Sequence, residues 1–332
     1  MYLSQSNPFA STVSNSTCQF PQITRGGLED SWQHGKDLFG VYHDLIGFLP
    51  SQPNESVSFR VTNNVITSQV AGMVIGAMYP SVVYPLQIQP SSIDSLEPTY
   101  SCAAAASLSK RYAAGSDNAN WTLHLNASRA LYVALDAISN VPQDDEGFHR
   151  SWDHYYDNLS AKQCHDKLLP CNTSNPGLCI TQQQADAVFR LGQHEYSYIY
   201  RDAPQSLEYS IASYGIWVAE LAETFRDVIS GTSAMKYRHN IAHDGSISRL
   251  LAILQVDVMV WPGMGAEVVF ELYRKGRGSK YFLRVMWGGK VLRSSNPSLG
   301  TMDMIEADVF LAYIDGLVGG KAEMIPDLCA TG

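Results

Sequence analysis

Residues 237–251 (YRHNIAHDGSISRLL) restrict the fold more than any other stretch of the chain. Asn240 to Ala242 read as a short buried strand that runs straight into an amphipathic helix, whose apolar stripe is Leu250, Leu251 and Leu254. Ser246 or Ser248 is suited to cap that helix. His243 and Asp244 fall at the joint. Direct strand-to-helix passage belongs to parallel sheets, and the carboxyl ends of such strands line the crevice where open α/β folds hold ligands. The helix start adds free N–H groups and the positive end of a dipole, and both favour an anion. An imidazole and a carboxylate there are placed for phosphate or carboxylate chemistry, although a joint of this kind also serves purely structural ends.

The flanking sequence supplies the rest of an α/β domain. Val57, Phe59 and Val61 alternate through 56–62 as in a strand, and a helix follows from Val65 to Met78, ending before Pro80. Arg60 thus lies near a second strand end, where its guanidinium either reaches the same crevice as His243 or sits on a surface edge strand. From Glu29 to Leu49, Trp32, Leu38, Phe39, Tyr42, Leu45, Ile46 and Leu49 recur at helical spacing, closed by Gly47 and Pro50. Residues 266–273 (AEVVFELY) and 280–287 (KYFLRVMW) read as antiparallel strands, Lys290 to Arg293 follows a glycine turn, and Met302 to Leu317 reads as a last helix.

Between these parts the periodicity turns helical, as in Ala130 to Ile138, Gln182 to Leu191 and Leu207 to Ile229, with polar loops between. The expected organisation is a coil-like segment 1–26, an α/β domain of 27–84 and 232–332, and a helical insertion domain of 85–231. Tyr196, Tyr198, Tyr200 and Trp217 are expected to line a core or cap rather than a cofactor.

Composition excludes several functions. A chain of 332 residues, 45% hydrophobic and 17% charged, can bury a large core. Its net charge of -9 and lack of any Lys/Arg block argue against a nucleic-acid surface. No apolar run reaches the length of a membrane span without a proline or charge. There is no HExxH, no clustered His/Cys spacing and no EF-hand loop, so no catalytic metal is expected. Gly263 and Gly265 are not followed by a third glycine or a P-loop lysine, and no GxSxG elbow occurs, so no cofactor and no serine nucleophile are expected.

Cys18, Cys102, Cys164, Cys171, Cys179 and Cys329 form no CxxC pair, and the Cys171 to Cys179 loop suits a disulfide better than a metal. Sequons at Asn15, Asn54, Asn120, Asn126, Asn158 and Asn172, beside an even number of cysteines, point to the secretory pathway. Met1 to Ala10 has no basic n-region and no apolar h-region, so a signal peptide is not present in this stretch.

The segments 59–64 (FRVTNN), 242–245 (AHDG) and 261–267 (WPGMGAE) resemble the fungal histidine acid phosphatases, a branch of the phosphoglycerate-mutase-like superfamily, and the likeness runs from Cys18 to the C-terminus. The resemblance implies a parallel-sheet α/β domain with helices on both faces plus a helical cap. It implies a small-molecule phosphate ester as substrate. In such enzymes the residue matching Arg60 clamps the phosphate, the one matching His243 also binds it, and the one matching Asp244 protonates the leaving oxygen.

The family's first motif, Arg-His-Gly-x-Arg-x-Pro, has no counterpart here. His34-Gly35 and Arg238-His239 echo it only superficially, the first inside a helix and the second in the strand that leads to His243. A strand, loop and helix carrying the motif need roughly 30 residues, more than the 17 that precede Cys18. Without it the phosphohistidine route has no nucleophile, and a dianion clamp keeps one arginine of three. Three outcomes are open: a truncated secreted phosphatase missing a central strand, a repurposed small-molecule enzyme using His243 and Asp244 as acid and base, or a non-catalytic binding protein.

Overall fold

The computed structural model describes residues 23–80, 82–113, 118–276, 278 and 280–330. Asn15 and Cys18 lie outside the described residues. In chain order the first elements are α1 (Arg25–Phe39), β1 (Val57–Val61), α2 (Val65–Met78), β2 (Gln87–Ile88) and α3 (Ala103–Tyr112). Next come α4 (Ala119–Ala127), α5 (Arg129–Ser139), α6 (Glu146–His149), α7 (Asp153–Cys164), α8 (Gln182–Ser197) and α9 (Ser206–Ser230). The last part holds β3 (Tyr237–Ile241), α10 (Asp244–Ile253), β4 (Val268–Arg274), β5 (Tyr281–Trp287), β6 (Lys290–Val291), β7 (Ile305–Glu306), α11 (Ala307–Val318) and α12 (Ile325–Ala330). Two compact units result, one of residues 106–205 and one of the described residues in 21–105 and 206–332.

The α/β unit is built on a parallel sheet of order β2-β1-β3, with Val57 opposite Tyr237 and Val61 opposite Ile241. All five β1 residues are buried, so Arg60 stands on a central strand and not on an edge. Phe59, Val61, Val74, Ile75 and Met78 form the core between strand and helix. Each such side chain contributes about 1.5–3 kcal/mol through burial. α1 begins earlier than its apolar pattern, at the Thr24 cap whose hydroxyl accepts from Gly27 N, and passes at Gly40 into a π-helical turn instead of continuing to Leu49. Gly35 lets α1 lie against α2, because a Cβ there would fall 2.5 Å from the Val74 carbonyl oxygen.

The second sheet pairs β4 with β5 antiparallel, Val268 opposite Trp287, and sets β6 and β7 beside β5. The helix expected from Met302 starts only at Ala307. Met304 takes a left-handed φ of 59°, which ends any helix, and Ile305–Glu306 pair with β5 instead. Phe225 of α9, Phe270 of β4 and Phe310 of α11 close this part of the core at ring separations of 6.0–6.2 Å. A Cys102–Cys329 disulfide joins the segment before α3 to α12.

Among the described residues, neither β3 nor β4 has a strand on its second edge. The same two helical segments reach both edges. From α1, His34 lies 6.0 Å from the His239 ring and 3.5 Å from Glu267, and Tyr42 in the π turn donates to Glu271 at 2.9 Å. From α9, Thr224 accepts from Arg238 at 2.7 Å and Phe225 lies against Phe270.

The helical unit packs α4 to α8 around Tyr132, Leu135, Phe148, Trp152, Tyr155, Leu159 and Val188. Trp152 stacks on Tyr132 at 3.8 Å. A capping box of Thr181 and Gln184 starts α8, and a Cys171–Cys179 disulfide closes the loop before it. The fold class is the expected one, a parallel-sheet α/β unit and a helical unit; the helical unit comprises 106–205, and α9 belongs to the α/β unit.

Candidate functional site

Because β1 and β3 run parallel and in register, their carboxyl ends lie side by side, and the Thr62 N–H donates to the Ile241 carbonyl at 3.2 Å. Thr62 follows the first strand and His243 the second. β3 is longer than expected, Tyr237–Ile241, and mostly half-buried. The helix begins before either serine: His243 is the N-cap residue, with φ -113° and ψ 167°, and Asp244 opens α10. The serines do not cap. Ser246 Oγ donates to the Leu96 carbonyl and Ser248 Oγ to the Asp244 carbonyl, both at 2.8 Å.

His243 Nε2 lies 3.0 Å from Glu97 Oε2 and 3.1 Å from Thr62 Oγ1. The Glu97 hydrogen bond pushes the His243 pKa above its ordinary 6.5 against the opposing effect of burial. The same bond holds the Glu97 carboxyl below its ordinary 4.5. Asp244 Oδ1 accepts from the Gly245 N–H at 2.7 Å, and Oδ2 accepts from the Trp261 indole at 2.5 Å. A carboxylate at a helix start is favoured by the dipole. Trp261 thereby joins the resembling segment 261–267 to the His243-Asp244 joint.

The Arg60 guanidinium is 11% exposed and donates to Glu220 at 2.7 Å, Gln89 at 2.6 Å, Asp94 at 2.9 Å and Ser95 at 2.9 Å. Asp94 Oδ1 also accepts from the Leu96 N–H at 3.0 Å. Arg60 therefore fixes the loop that carries Glu97 to His243. Arg249, one turn into α10, is occupied by the Gly245 carbonyl, Ser213 and Tyr209.

His34 and His239 lie apart from these contacts. His239 is paired through Nδ1 with Tyr237 and stacked on Phe59, and burial, with His34 nearby, pushes its pKa down to about 4. It is neutral across the physiological range. A 440 Å³ cavity runs along α9 past Glu220, Glu223 and Asp227, and neither His243 nor Asp244 lines it. Among the described residues no group of three His, Cys, Asp or Glu side chains could hold a metal ion.

Of the sequon residues, Asn54, Asn120 and Asn126 are exposed and Asn158 is half-buried. Asn172 differs. It is 6% exposed, and its Nδ2 donates to the Ala137 and Ile138 carbonyls. Cys164 is a free, exposed thiol.

Sequence inspection picked out His243, Asp244 and Arg60 but not Glu97. Nothing marks an acid before a proline in a coil-like stretch, and long-range anchors, Arg60 to Asp94 and Ser246 to the Leu96 carbonyl, bring it to the imidazole.

The phytase of Hafnia alvei, solved in complex with myo-inositol hexakis sulphate, superposes with a TM-score of 0.66 at 13% identity, covering 93% of this chain and 90% of that one. The Citrobacter braakii phytase gives 0.63 at 11% identity over 93% and 91%. The D. castellii phytase gives 0.54 at 16% identity over 88% and 64%. The fold is therefore that of these histidine acid phosphatase phytases. A curated relative, counting factor 60 of Dictyostelium discoideum, is 22% identical over 289 residues, 82% of this chain, and the chain spans 64% of its length. No protein-family model matches the chain.

Proposed function

We propose that the protein is a member of the histidine acid phosphatase family that binds a small phosphate ester at the His243-Asp244 joint. In this reading the imidazolium of His243 and the start of α10 take the phosphate, and Asp244 stands beside the ester oxygen as the group that would deliver a proton to it if the ester bond were cleaved. The 332 residues carry no histidine in the family's Arg-His-Gly-x-Arg-x-Pro setting, so hydrolysis through a phosphohistidine is impaired in this chain.

The observation that carries the reading is the joint itself. Asp244 follows His243 at a helix start, beside the end of a parallel neighbour strand, with Thr62 on the imidazole. The phytase fold supports it. So do the second edges of β3 and β4, which carry no strand among the described residues and are reached by the same helical segments, since the family's sheet takes a further strand at its centre. The commitment of Arg60 to Asp94 and Glu220 supports impairment, because both terminal nitrogens of the guanidinium already face acceptors of the protein and its charge is balanced by two carboxylates.

The test is phosphate release from p-nitrophenyl phosphate by the purified chain between pH 4 and 7, with equilibrium dialysis of inorganic phosphate. Binding that His243→Ala abolishes, with turnover far below the usual range of about 1–10³ s⁻¹, supports the reading. Ordinary turnover lost in Asp244→Asn refutes impairment. Absence of phosphate binding refutes the site.

A second reading is acid–base chemistry by His243 and Asp244 on an unphosphorylated small molecule. The Glu97 carboxylate on the imidazole favours it, since such a pair suits proton transfer more than anion capture. It requires turnover that Asp244→Asn abolishes without any phosphate affinity. A non-catalytic binding protein would bind ligand with no turnover on either class of substrate.

A further inference from the structure

We propose that Glu97 is a carboxylate lock on the anion site: it occupies the His243 Nε2 position that a phosphate oxygen would take, so a tetrahedral dianion binds well only when Glu97 is displaced or its charge removed. This rests on the anion-binding reading of His243 and names the residue that limits it.

The geometry is direct. Glu97 Oε2 at 3.0 Å and Thr62 Oγ1 at 3.1 Å crowd one ring nitrogen, which has a single N–H to donate. An incoming oxyanion must displace the stronger acceptor, which is the charged one. Nor is Glu97 on a slack loop. Leu96, its neighbour, donates its N–H to Asp94, whose same oxygen is held by Arg60 of β1. The Leu96 carbonyl accepts from Ser246 in the first turn of α10. The lock is thus fastened to both elements that form the joint.

The charges facing the imidazole are Glu97 from this loop and Asp244 from α10, while Thr62, just after β1, is neutral. Arg249 from α10 acts on Glu97 but spends its donors on Gly245, Ser213 and Tyr209. A dianion entering this joint meets two carboxylates and one imidazolium, and like charges at such range discriminate strongly against it. Since the mutual hydrogen bond lowers the Glu97 pKa below 4.5 and raises that of His243 above 6.5, both partners are charged between those values and the lock is closed there.

The test titrates the full chain with inorganic sulfate at pH 6 by isothermal calorimetry, sulfate being a tetrahedral dianion of fixed charge at mildly acid and neutral pH. Glu97→Gln keeps size and an acceptor oxygen while removing the charge. It is expected to bind sulfate at least tenfold more tightly than the native chain, about 1.4 kcal/mol. His243→Ala added to Glu97→Gln should remove the gain. Glu97→Asp, which keeps the charge but shortens its reach, should give a smaller gain and guards against a glutamine variant that fails to fold. If folded Glu97→Gln binds no better than the native chain while His243→Ala still abolishes binding, the lock is refuted and the anion site stands. If neither the native chain nor either Glu97 variant binds sulfate, the anion site falls and the lock with it.

Discussion

Arg60 donates to Asp94 at 2.9 Å, and the oxygen that accepts it also holds the Leu96 N–H, so one buried carboxylate links the central strand to the loop beside His243. Asp94 is 1% exposed on its side chain. The Arg60 guanidinium thereby holds the architecture of the joint.

Removing Arg60 should therefore act mainly on stability. Arg60→Met leaves Asp94 buried without its cation, a change that typically costs about 3–5 kcal/mol. Urea unfolding read by tryptophan fluorescence checks this. A loss below about 1 kcal/mol would mean that the guanidinium is not the partner that Asp94 depends on.

Trp261 should stabilise the joint through Asp244. Trp261→Phe keeps most of the buried ring and removes the indole N–H that donates at 2.5 Å. Loss of a hydrogen bond to a carboxylate is expected to cost about 1.5–3 kcal/mol. The same variant in an Asp244→Asn background should show a smaller loss, so a double-mutant cycle by thermal unfolding separates the hydrogen bond from packing. Strict additivity would assign the effect to packing alone.

The His243–Glu97 pair should leave a pH signature. His243 has a raised pKa, so its contribution is complete below pH 6.5 and fades as pH rises through the folded value. Glu97 has a lowered pKa, so its contribution is complete above pH 4.5 and fades as pH falls through the folded value. The stability difference between the native chain and Glu97→Gln should therefore peak between about pH 4.5 and 6.5. With side chains 32% and 34% exposed, solvent screening keeps it to about 1 kcal/mol or less. A difference that instead grows toward pH 9 would contradict the pairing.

Glycan occupancy should follow exposure. Asn54, Asn120 and Asn126 are open to a transferase in the folded chain, whereas the Asn172 amide is buried against two carbonyls. In protein made in a secreting eukaryotic host, glycopeptide mass spectrometry should find the first three occupied and Asn172 bare. A fully occupied Asn172 in native protein would show that this loop folds differently from the geometry described.

Where local pattern and tertiary packing agreed, the sequence was legible. α2 runs from Val65 to Met78 as its periodicity requires, because Asn64 caps it and Pro80 follows its end. The 237–251 stretch declared its strand, its joint and its helix. Its serines misled, since hydroxyls that serve as caps in isolation are used here to tie down Leu96 and the helix backbone. The last helix was drawn too long because apolar spacing from Met302 cannot reveal the left-handed Met304 or the pairing of β7 with β5. Glu97 and the inward commitment of Arg60 depend on contacts 29 to 160 residues apart in the chain, and no local signal carries them.

The most direct test of the account is phosphorus NMR of the purified chain, first with inorganic phosphate and then with p-nitrophenyl phosphate at pH 5. The account predicts a phosphate resonance that broadens and shifts with added native protein and is unaffected by His243→Ala, together with no phosphohistidine signal and negligible free phosphate from the ester. A phosphohistidine resonance with steady phosphate release would contradict it, and so would a phosphate resonance blind to both the native protein and its Glu97→Gln variant.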